Sequence, residues 1–265
     1  MTNEEKQADE ISVLQSIFDR EFRRLDDHQY EITIEFELLI SITIRLNAQT
    51  STIQHLPPFT LIIHYPEEYP NAKPPSFLLS CIYFSKNRLK KLCQKLDNYP
   101  FQNEVCIYDR IDIIKREISH EFILDTSPFE QENDPRALNG YSIETAANVF
   151  QYLIDYNEQF TEKQFLNQLQ ICLICTENIP GRDCIRLHRC GHFYCRVCLN
   201  DYIQMALNNG RFGEKLHCPD NQCNQALLPT EVQQALQNDQ LYGRYERITL
   251  QNTLASMKDI TWCPK

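Results

Sequence analysis

Eight cysteine and histidine residues between positions 172 and 223 constrain this chain more than any other feature. They are Cys172, Cys175, Cys190, His192, Cys195, Cys198, Cys218 and Cys223. Thiolate and imidazole groups in sets of four are the ligands that structural Zn²⁺ prefers, and each Cys-x2-Cys pair can place two thiolates on one metal. The spacing predicts a small module that binds two zinc ions and presents a rigid surface, and it indicates no chemistry on a substrate.

Length and charge narrow the function classes. A chain of 265 residues favours two domains, and a net charge of −10 argues against nucleic acid or anionic lipid as a partner. No run of apolar residues is long enough for a transmembrane helix, and the acidic, polar N-terminus is unlike a secretory signal. We therefore expect a protein of the cytosol or nucleus, where its twelve cysteines stay reduced and clustered ones bind metal.

The first 123 residues predict an α+β sandwich. Apolar residues between Ala8 and Phe22 repeat with the period of an amphipathic helix, and alternation with period two then predicts strands. The predicted strands are Tyr30–Leu38, Ile42–Leu46, Phe59–Tyr65 and Ser76–Ser80, and two further helices are predicted at Lys86–Leu96 and Ile111–Phe122. We expect helices on one face of a four-stranded antiparallel sheet.

Two motifs in this region resemble RWD domains. The first helix carries Glu10-Ile11, Leu14 and Ser16-Ile17-Phe18, and the proline-rich segment Tyr69–Pro75 matches the YPxxxPP loop. The resemblance covers about residues 1–123 and implies a protein-interaction domain. The fold is related to that of ubiquitin-conjugating enzymes, but neither Cys93 nor Cys106 stands in a context that suggests a nucleophile.

The regions on either side of the cysteine cluster predict connecting segments. Residues 124–141 are polar and acidic, which favours a flexible linker. Residues 142–170 begin with Ser142 and carry an apolar stripe, so we expect a helix that braces the zinc module. Residues 224–262 predict a helical linker with a break near Asn238–Gly243.

The eight ligands form four pairs along the chain, and they predict an interleaved arrangement if the first and third of these pairs share one ion. The first site would hold Cys172, Cys175, Cys195 and Cys198, and the second Cys190, His192, Cys218 and Cys223. Cys184, His188 and His217 are alternative ligands, although none gives a better spacing. Two metals in about 50 residues would staple a small domain together.

This order and spacing resemble a RING domain. The x4 spacing between Cys218 and Cys223, and Asn224 after the last ligand, resemble the first RING of RBR (RING-in-between-RING) ubiquitin ligases. Residues Thr261–Lys265 resemble the start of an in-between-RING domain at 263–265, with Cys263 as its first zinc ligand. The resemblance implies that the RING at 172–223 recruits a ubiquitin-conjugating enzyme (E2) charged with ubiquitin. A second RING would carry the catalytic cysteine, and we expect none of the residues here to form a ubiquitin thioester.

The resemblance also implies a docking groove for E2. By motif position the groove would contain Ile174, Leu199, Tyr202 and Pro219, although each could equally pack in the RING core. In the family, the segment after the first RING can bind ubiquitin, which would here involve residues 242–254, and a bracing helix is an equal alternative.

Other function classes remain as rivals. A non-enzymatic adaptor, with one protein partner on each domain, fits the same residues. A nucleic-acid-binding zinc protein is disfavoured because no strongly basic face accompanies the cluster. A hydrolase is disfavoured because the chain has no G-x-S-x-G, H-E-x-x-H or Walker motif.

Overall fold

A computed structural model describes residues 1–36, 41–117, 121–124 and 134–256 of the protein. The chain forms two compact units, residues 1–161 and 162–265. Among the described residues no helix has the length and apolar character needed to cross a membrane. Cys263 and the predicted in-between-RING start lie outside the described residues.

The first unit opens with helix α1 (Asn3–Phe18), whose start is fixed by a capping box. The Thr2 hydroxyl accepts a hydrogen bond from the Glu5 amide at 3.2 Å, and the Glu5 carboxylate accepts one from the Thr2 nitrogen at 2.8 Å. The buried face of α1 contributes Leu14 and Phe18 to the core of the unit.

Eight strands follow in the described part of the first unit. They are β1 (Phe22–Arg24), β2 (Gln29–Ile34), β3 (Ile42–Leu46), β4 (Gln49–Ile53), β5 (Phe59–His64), β6 (Ser76–Ser80), β7 (Glu121–Ile123) and β8 (Ala137–Leu138). One sheet has the order β1-β2-β5-β6-β8 and a second has the order β4-β3-β7. The α+β class is confirmed. The prediction of a single four-stranded antiparallel sheet is wrong, because β7 and β8 add parallel pairings with β3 and β6.

Two helices of this unit lie between β6 and β7. They are α2 (Lys86–Asp97) and α3 (Ile107–Arg116), and their apolar faces are buried in the same core. The predicted helix Ile111–Phe122 is wrong at its C-terminal end, because Glu121–Ile123 is a strand. Phe122 lies opposite Ile44 of β3, so tertiary pairing decides the conformation of this segment.

A buried carboxylate connects the two sequence motifs of this unit. Glu10 of α1 accepts hydrogen bonds from the hydroxyls of Tyr65 and Tyr69, both at 2.8 Å, and from the Ile107 amide at 2.9 Å. The Tyr69 hydroxyl also accepts a hydrogen bond from the Cys106 amide at 2.9 Å. This network holds α1, the proline-rich loop and the start of α3 together.

Residues 124–141 were expected to be a flexible linker, but the second half of this segment contains regular structure. Residues 134–141 contain β8, and Tyr141 forms an isolated bridge with Ser85. The next helix, α4 (Ala146–Asn167), buries Ala146, Phe150 and Leu153 in the core of the first unit. Residues 142–170 were expected to form a helix that braces the zinc module, but the apolar stripe in the first half of α4 completes the core of the first unit.

The second unit contains short hairpins and three helices. They are β9 (Leu169–Ile171) paired with β10 (Asn178–Pro180), β11 (Cys184–Arg186) paired with β12 (Phe193–Cys195), α5 (Arg196–Asn208), α6 (Pro229–Ala235) and α7 (Asp239–Ser256). Its core contains apolar side chains from α5, α6 and α7 as well as several cysteines. The unit therefore has a buried apolar core in addition to its cysteine cluster.

Candidate metal centre

The structure gathers the eight predicted residues into two groups of four. One group is Cys172, Cys175, Cys195 and Cys198, and the other is Cys190, His192, Cys218 and Cys223; within each group the ligand atoms lie within 4.8 Å of one another. Each group joins residues that are distant in sequence, and the two groups alternate along the chain. The grouping is the interleaved one that the sequence predicts.

The first group is formed by a turn after β9 and by the start of α5. Cys172 and Cys175 flank a turn in which the Thr176 amide donates to the Cys172 carbonyl at 2.8 Å, and Thr176 has a φ of 60°. Cys195 is the N-cap of α5, so its sulfur accepts a hydrogen bond from the Cys198 amide at 3.4 Å. The helix N-terminus thus points donors at sulfur atoms that carry negative charge when they bind metal.

The second group is built from two loops. Gly191, between Cys190 and His192, has a φ of 73°, a conformation that favours glycine, and its amide donates to the Leu187 carbonyl at 2.7 Å. In the other loop Asp220 shapes the turn between Cys218 and Cys223. Its carboxylate accepts from the Gln222 amide at 2.8 Å and its carbonyl from the Cys223 amide at 3.0 Å.

The imidazole of His192 is oriented by groups on both sides. Its Nδ1 lies 3.4 Å from the Cys218 sulfur, whereas its Nε2 lies 3.5 Å from the Asp220 carboxylate. In metal sites a carboxylate beside the second ring nitrogen fixes the tautomer and makes the first a better ligand. Asp220 is therefore a positioning residue that the sequence pattern did not single out, although its place inside a ligand pair was a signal.

Hydrogen bonds to sulfur outweigh the effect of burial on the pKa at Cys172 but not at Cys218. Burial opposes ionisation of the Cys172 thiol, but amide donors at Cys175, Cys195 and Ile174 outweigh it and lower the pKa to about 7. At the second group the buried Tyr194 hydroxyl lies 3.1 Å from the Cys218 sulfur and lowers the pKa of this thiol, but burial is the larger effect and raises it to about 12. Such contacts stabilise the thiolate form, which is the form that binds metal.

The chemistry of both groups fits zinc. A tetrahedron with Zn–S bonds of roughly 2.3 Å has sulfur atoms about 3.8 Å apart, which lies within the 4.8 Å limit of both groups. The cysteines of the described residues, including all seven of these, are free thiols. The two sets can each hold one metal ion, and a bound ion would supply the cross-link that a small cysteine-rich unit needs.

Three alternative ligands lie outside the two groups. Cys184 is buried opposite Cys195 in the β11–β12 pair, and burial raises its pKa to about 11. His188 donates its amide to Glu231 at 2.7 Å, and His217 forms a bridge with Ala226 that closes the loop carrying Cys218. These residues serve the fold around the cluster.

The first unit holds no candidate thiolate nucleophile among its described cysteines. Cys93 and Cys106 are buried, and burial raises the pKa of Cys93 to about 12 and also raises that of Cys106. A neutral buried thiol is a poor nucleophile.

Of the four predicted E2-contacting residues, three reach the surface. Ile174 is 43% exposed, and Tyr202 and Pro219 are partly exposed. The Tyr202 hydroxyl donates to the His217 carbonyl at 2.9 Å, which places this ring beside the loop that carries Pro219. The prediction for Leu199 is wrong, because this side chain is fully buried in the core of the second unit.

Sequence reasoning missed two apolar residues beside the first group. Leu173 and Val197 are 54% and 66% exposed, and each lies between two residues of that group. Both side chains therefore add exposed apolar surface to the two segments that carry the first group.

The segment after the cluster packs against it. Tyr245 of α7 is buried in the core of the second unit, and Leu241, Tyr242 and Ile248 pack against that core. The bracing alternative thus accounts for this part of residues 242–254, whereas Leu250 stays exposed.

Replacing Asp220 by asparagine is expected to lower zinc affinity about 10- to 100-fold, the usual effect of losing such an oriented carboxylate. Asparagine keeps an oxygen for the Gln222 amide but removes the carboxylate charge beside His192. Competition with a chromophoric chelator measures the affinity, and Asp201→Asn, on the exposed face of α5, is the matched control. Equal affinities of the two variants would contradict the role of Asp220.

A family model and several curated proteins match this chain. The model for the RWD domain matches residues 5–118. Residues 5–118 form an RWD domain. The RWD domain thus spans α1 to α3 and contains the Glu10 network.

The chain is also homologous over nearly its whole length to proteins that contain more than the RWD domain. "E3 ubiquitin-protein ligase RNF14" of Mus musculus is 30% identical over 98% of this chain, and its namesake in Danio rerio is 28% identical over 99%. "E3 ubiquitin-protein ligase itt1" of Schizosaccharomyces pombe is 25% identical over 97%. The chain spans 63%, 64% and 58% of the length of these three relatives, respectively.

Proposed function

We propose that this chain acts in ubiquitin transfer as part of an E3 ligase of the RBR type. In this role two zinc ions hold residues 172–223 as a RING that recruits a ubiquitin-charged E2, and the RWD domain docks a partner protein. Ubiquitin would pass to a catalytic cysteine and then to a substrate lysine, and no residue of this chain is assigned to that transfer. Free thiols throughout the described residues support a site of action in the cytosol or nucleus.

The interleaving of the two four-residue groups carries the proposal. Bound at these positions, the metals would hold together the turn after β9, the start of α5 and both loops of the second group. Ile174, Tyr202 and Pro219 are each attached to one of these segments, so their side chains would be held in a fixed relation. A rigid surface that loses little entropy on binding is what a recruiting module needs. The names of the relatives point the same way.

The RWD domain offers a groove that supports a docking role. The groove has a volume of about 390 Å³ and is lined by Val13, Leu14, Val105 and Tyr108 among others. Val13 and Tyr108 are both more than half exposed. Apolar surface of this kind between two helices is typical of a protein-binding site.

Replacing Ile174 by alanine is expected to weaken E2 binding about tenfold or more, since a central apolar anchor is commonly worth above 1 kcal/mol. The measurement is calorimetric titration of the zinc-loaded chain with a panel of E2 enzymes without ubiquitin, so that the possible ubiquitin-binding segment 242–254 takes no part. Leu250→Ala is the matched control, because Leu250 is an exposed apolar residue of the same unit on α7.

The same titration distinguishes the proposed ligase function from the alternative of a non-enzymatic adaptor. If no E2 of a broad panel binds the wild-type chain, the adaptor remains and the ligase proposal fails. Equal weakening by Ile174→Ala and Leu250→Ala would retain E2 binding but reject the surface assigned here.

A further inference from the structure

A pocket of about 260 Å³ lies in the RWD domain between the proline-rich loop, the C-terminal end of α2 and helix α3. It is lined by Pro75, Phe77, Tyr99, Phe101, Arg110 and Arg136, among others. Three aromatic rings and two guanidinium groups thus face one small space, which is distant in sequence from the cysteine cluster and takes no part in its chemistry.

Arg110 is the unusual member of this pocket, because its side chain is only 4% exposed. Its Nη1 donates to the Pro75 carbonyl at 2.8 Å, and its guanidinium carbon lies 5.1 Å from the centre of the Phe77 ring. Its Nε is buried and has no hydrogen-bond partner within the described part of the chain. Since the bond from Nη1 is the one side-chain hydrogen bond of Arg110 found among the described residues, the guanidinium edge formed by Nε and Nη2 has no acceptor there.

The charge of the other arginine of the pocket, Arg136, is balanced by carboxylates. Arg136 forms two parallel hydrogen bonds with Asp97, both at 2.7 Å, and another with Asp134 at 2.8 Å. Arg110 has no comparable carboxylate among the described residues. A buried charge without a partner costs several kcal/mol, so this site favours a ligand that supplies the missing negative charge.

The nearby charges select the kind of anion. The carboxylate of Asp97 lines the pocket, and that of Asp109 accepts a hydrogen bond from the Tyr99 hydroxyl at 2.7 Å. These groups repel a doubly charged phosphate more strongly than a singly charged carboxylate. The planar edge of a guanidinium also matches a carboxylate, and the aromatic rings suit its alkyl stem.

We propose that this pocket binds a carboxylate group of an acidic peptide segment, with Arg110 as its anchor. The proposal extends the docking role proposed for the RWD domain, because it states what that domain recognises. The carboxylate would come from an acidic segment of the partner protein that the RWD domain is proposed to dock.

A nuclear magnetic resonance titration of the full zinc-loaded chain tests the proposal. Sodium acetate is the probe, with sodium chloride at matched ionic strength and inorganic phosphate as comparisons. We expect a saturable shift of the Arg110 Nε–H signal and of the Ser76 and Phe77 amides with acetate, a weaker response with phosphate, and no saturation with chloride.

Two variants test whether the guanidinium of Arg110 anchors the carboxylate. Arg110→Lys retains the charge and a donor for Pro75 but loses the planar edge, so acetate should bind at least tenfold more weakly. Arg116→Met, on the same helix and exposed, should bind acetate as the wild type does. An unchanged amide spectrum of Arg110→Lys outside the pocket shows that it is folded. If Arg110→Lys responds like the wild type, or if wild-type shifts do not saturate, the proposal is overturned.

Failure of the pocket would leave the E2 proposal intact, because that proposal rests on residues 172–223.

Discussion

Removal of metal from this protein is expected to unfold the second unit and leave the first unit folded. A structural zinc ion contributes on the order of 10 kcal/mol, and a whole domain is stable by only about 5–15 kcal/mol. Loss of two ions should therefore exceed what the apolar core of the second unit supplies. The core of the first unit contains none of the eight clustered residues, so it should be unaffected.

Amide spectra before and after treatment with a strong chelator measure this effect. Signals of Leu187, Tyr194 and Ile203 should collapse to unfolded positions, whereas those of Ile32 and Leu61 should persist. Cys184→Ser is the matched control, since Cys184 is a buried cysteine outside both groups, and its spectrum with metal should stay folded. If the second unit kept its dispersed spectrum without metal, its fold would not depend on the metals and this prediction would be wrong.

Replacing Glu10 by alanine is expected to destabilise the first unit by about 3–5 kcal/mol. The change leaves the Tyr65 and Tyr69 hydroxyls and the Ile107 amide without their acceptor in a buried place, and removing one partner of a buried network carries a cost of that size. Urea unfolding followed by tyrosine signals of the first unit measures the change. Asp9→Ala, an exposed carboxylate on the same helix, should change stability by less than about 0.5 kcal/mol.

The same carboxylate gives the first unit a specific pH dependence. Burial raises the pKa of Glu10 above its ordinary value of 4.5, although hydrogen bonds from Ile107, Tyr65 and Tyr69 oppose the rise. The folded state therefore binds the proton more tightly than the unfolded state, and stability falls as pH rises from 4.5 through the folded pKa. Hydrogen exchange at the Ile107 amide should show this slope in the wild type and a flatter profile in Glu10→Gln. A rise in wild-type stability relative to the variant over that range would reverse the sign.

The spacing of the ligands in the sequence predicted most of the metal centre. Two Cys-x2-Cys pairs and an intervening Cys-x-His predict the two groups on the condition that the first and third ligand pairs share one ion, and the structure has this grouping. The sequence did not identify Asp220 and Tyr194, because they act on the ligand residues beside them. No sequence spacing marks a carboxylate or a tyrosine that has such a role. Leu199 was misplaced because a position in a motif does not tell which face of a helix turns inward.

Tertiary pairing decided the parts of the fold that sequence patterns predicted incorrectly. The residues around Phe122 have a helical pattern, yet they pair with β3, because a strand partner across the chain outweighs a weak local preference. The sequence predicted the apolar stripe of α4. A stripe does not indicate which surface it packs against, however, and the first half of α4 completes the core of the first unit. Arg110 had no sequence signal at all, since only the fold shows that a guanidinium is buried without a counter-charge.

Native mass spectrometry of the intact chain, purified without added metal, tests the central claim most directly. Two zinc ions per chain are expected, with one lost in Cys172→Ser, one lost in His192→Ala and none lost in Cys184→Ser. Fewer than two ions in the wild type, or two ions retained in both ligand variants, would contradict the interleaved metal centre on which the proposed E2-recruiting surface depends.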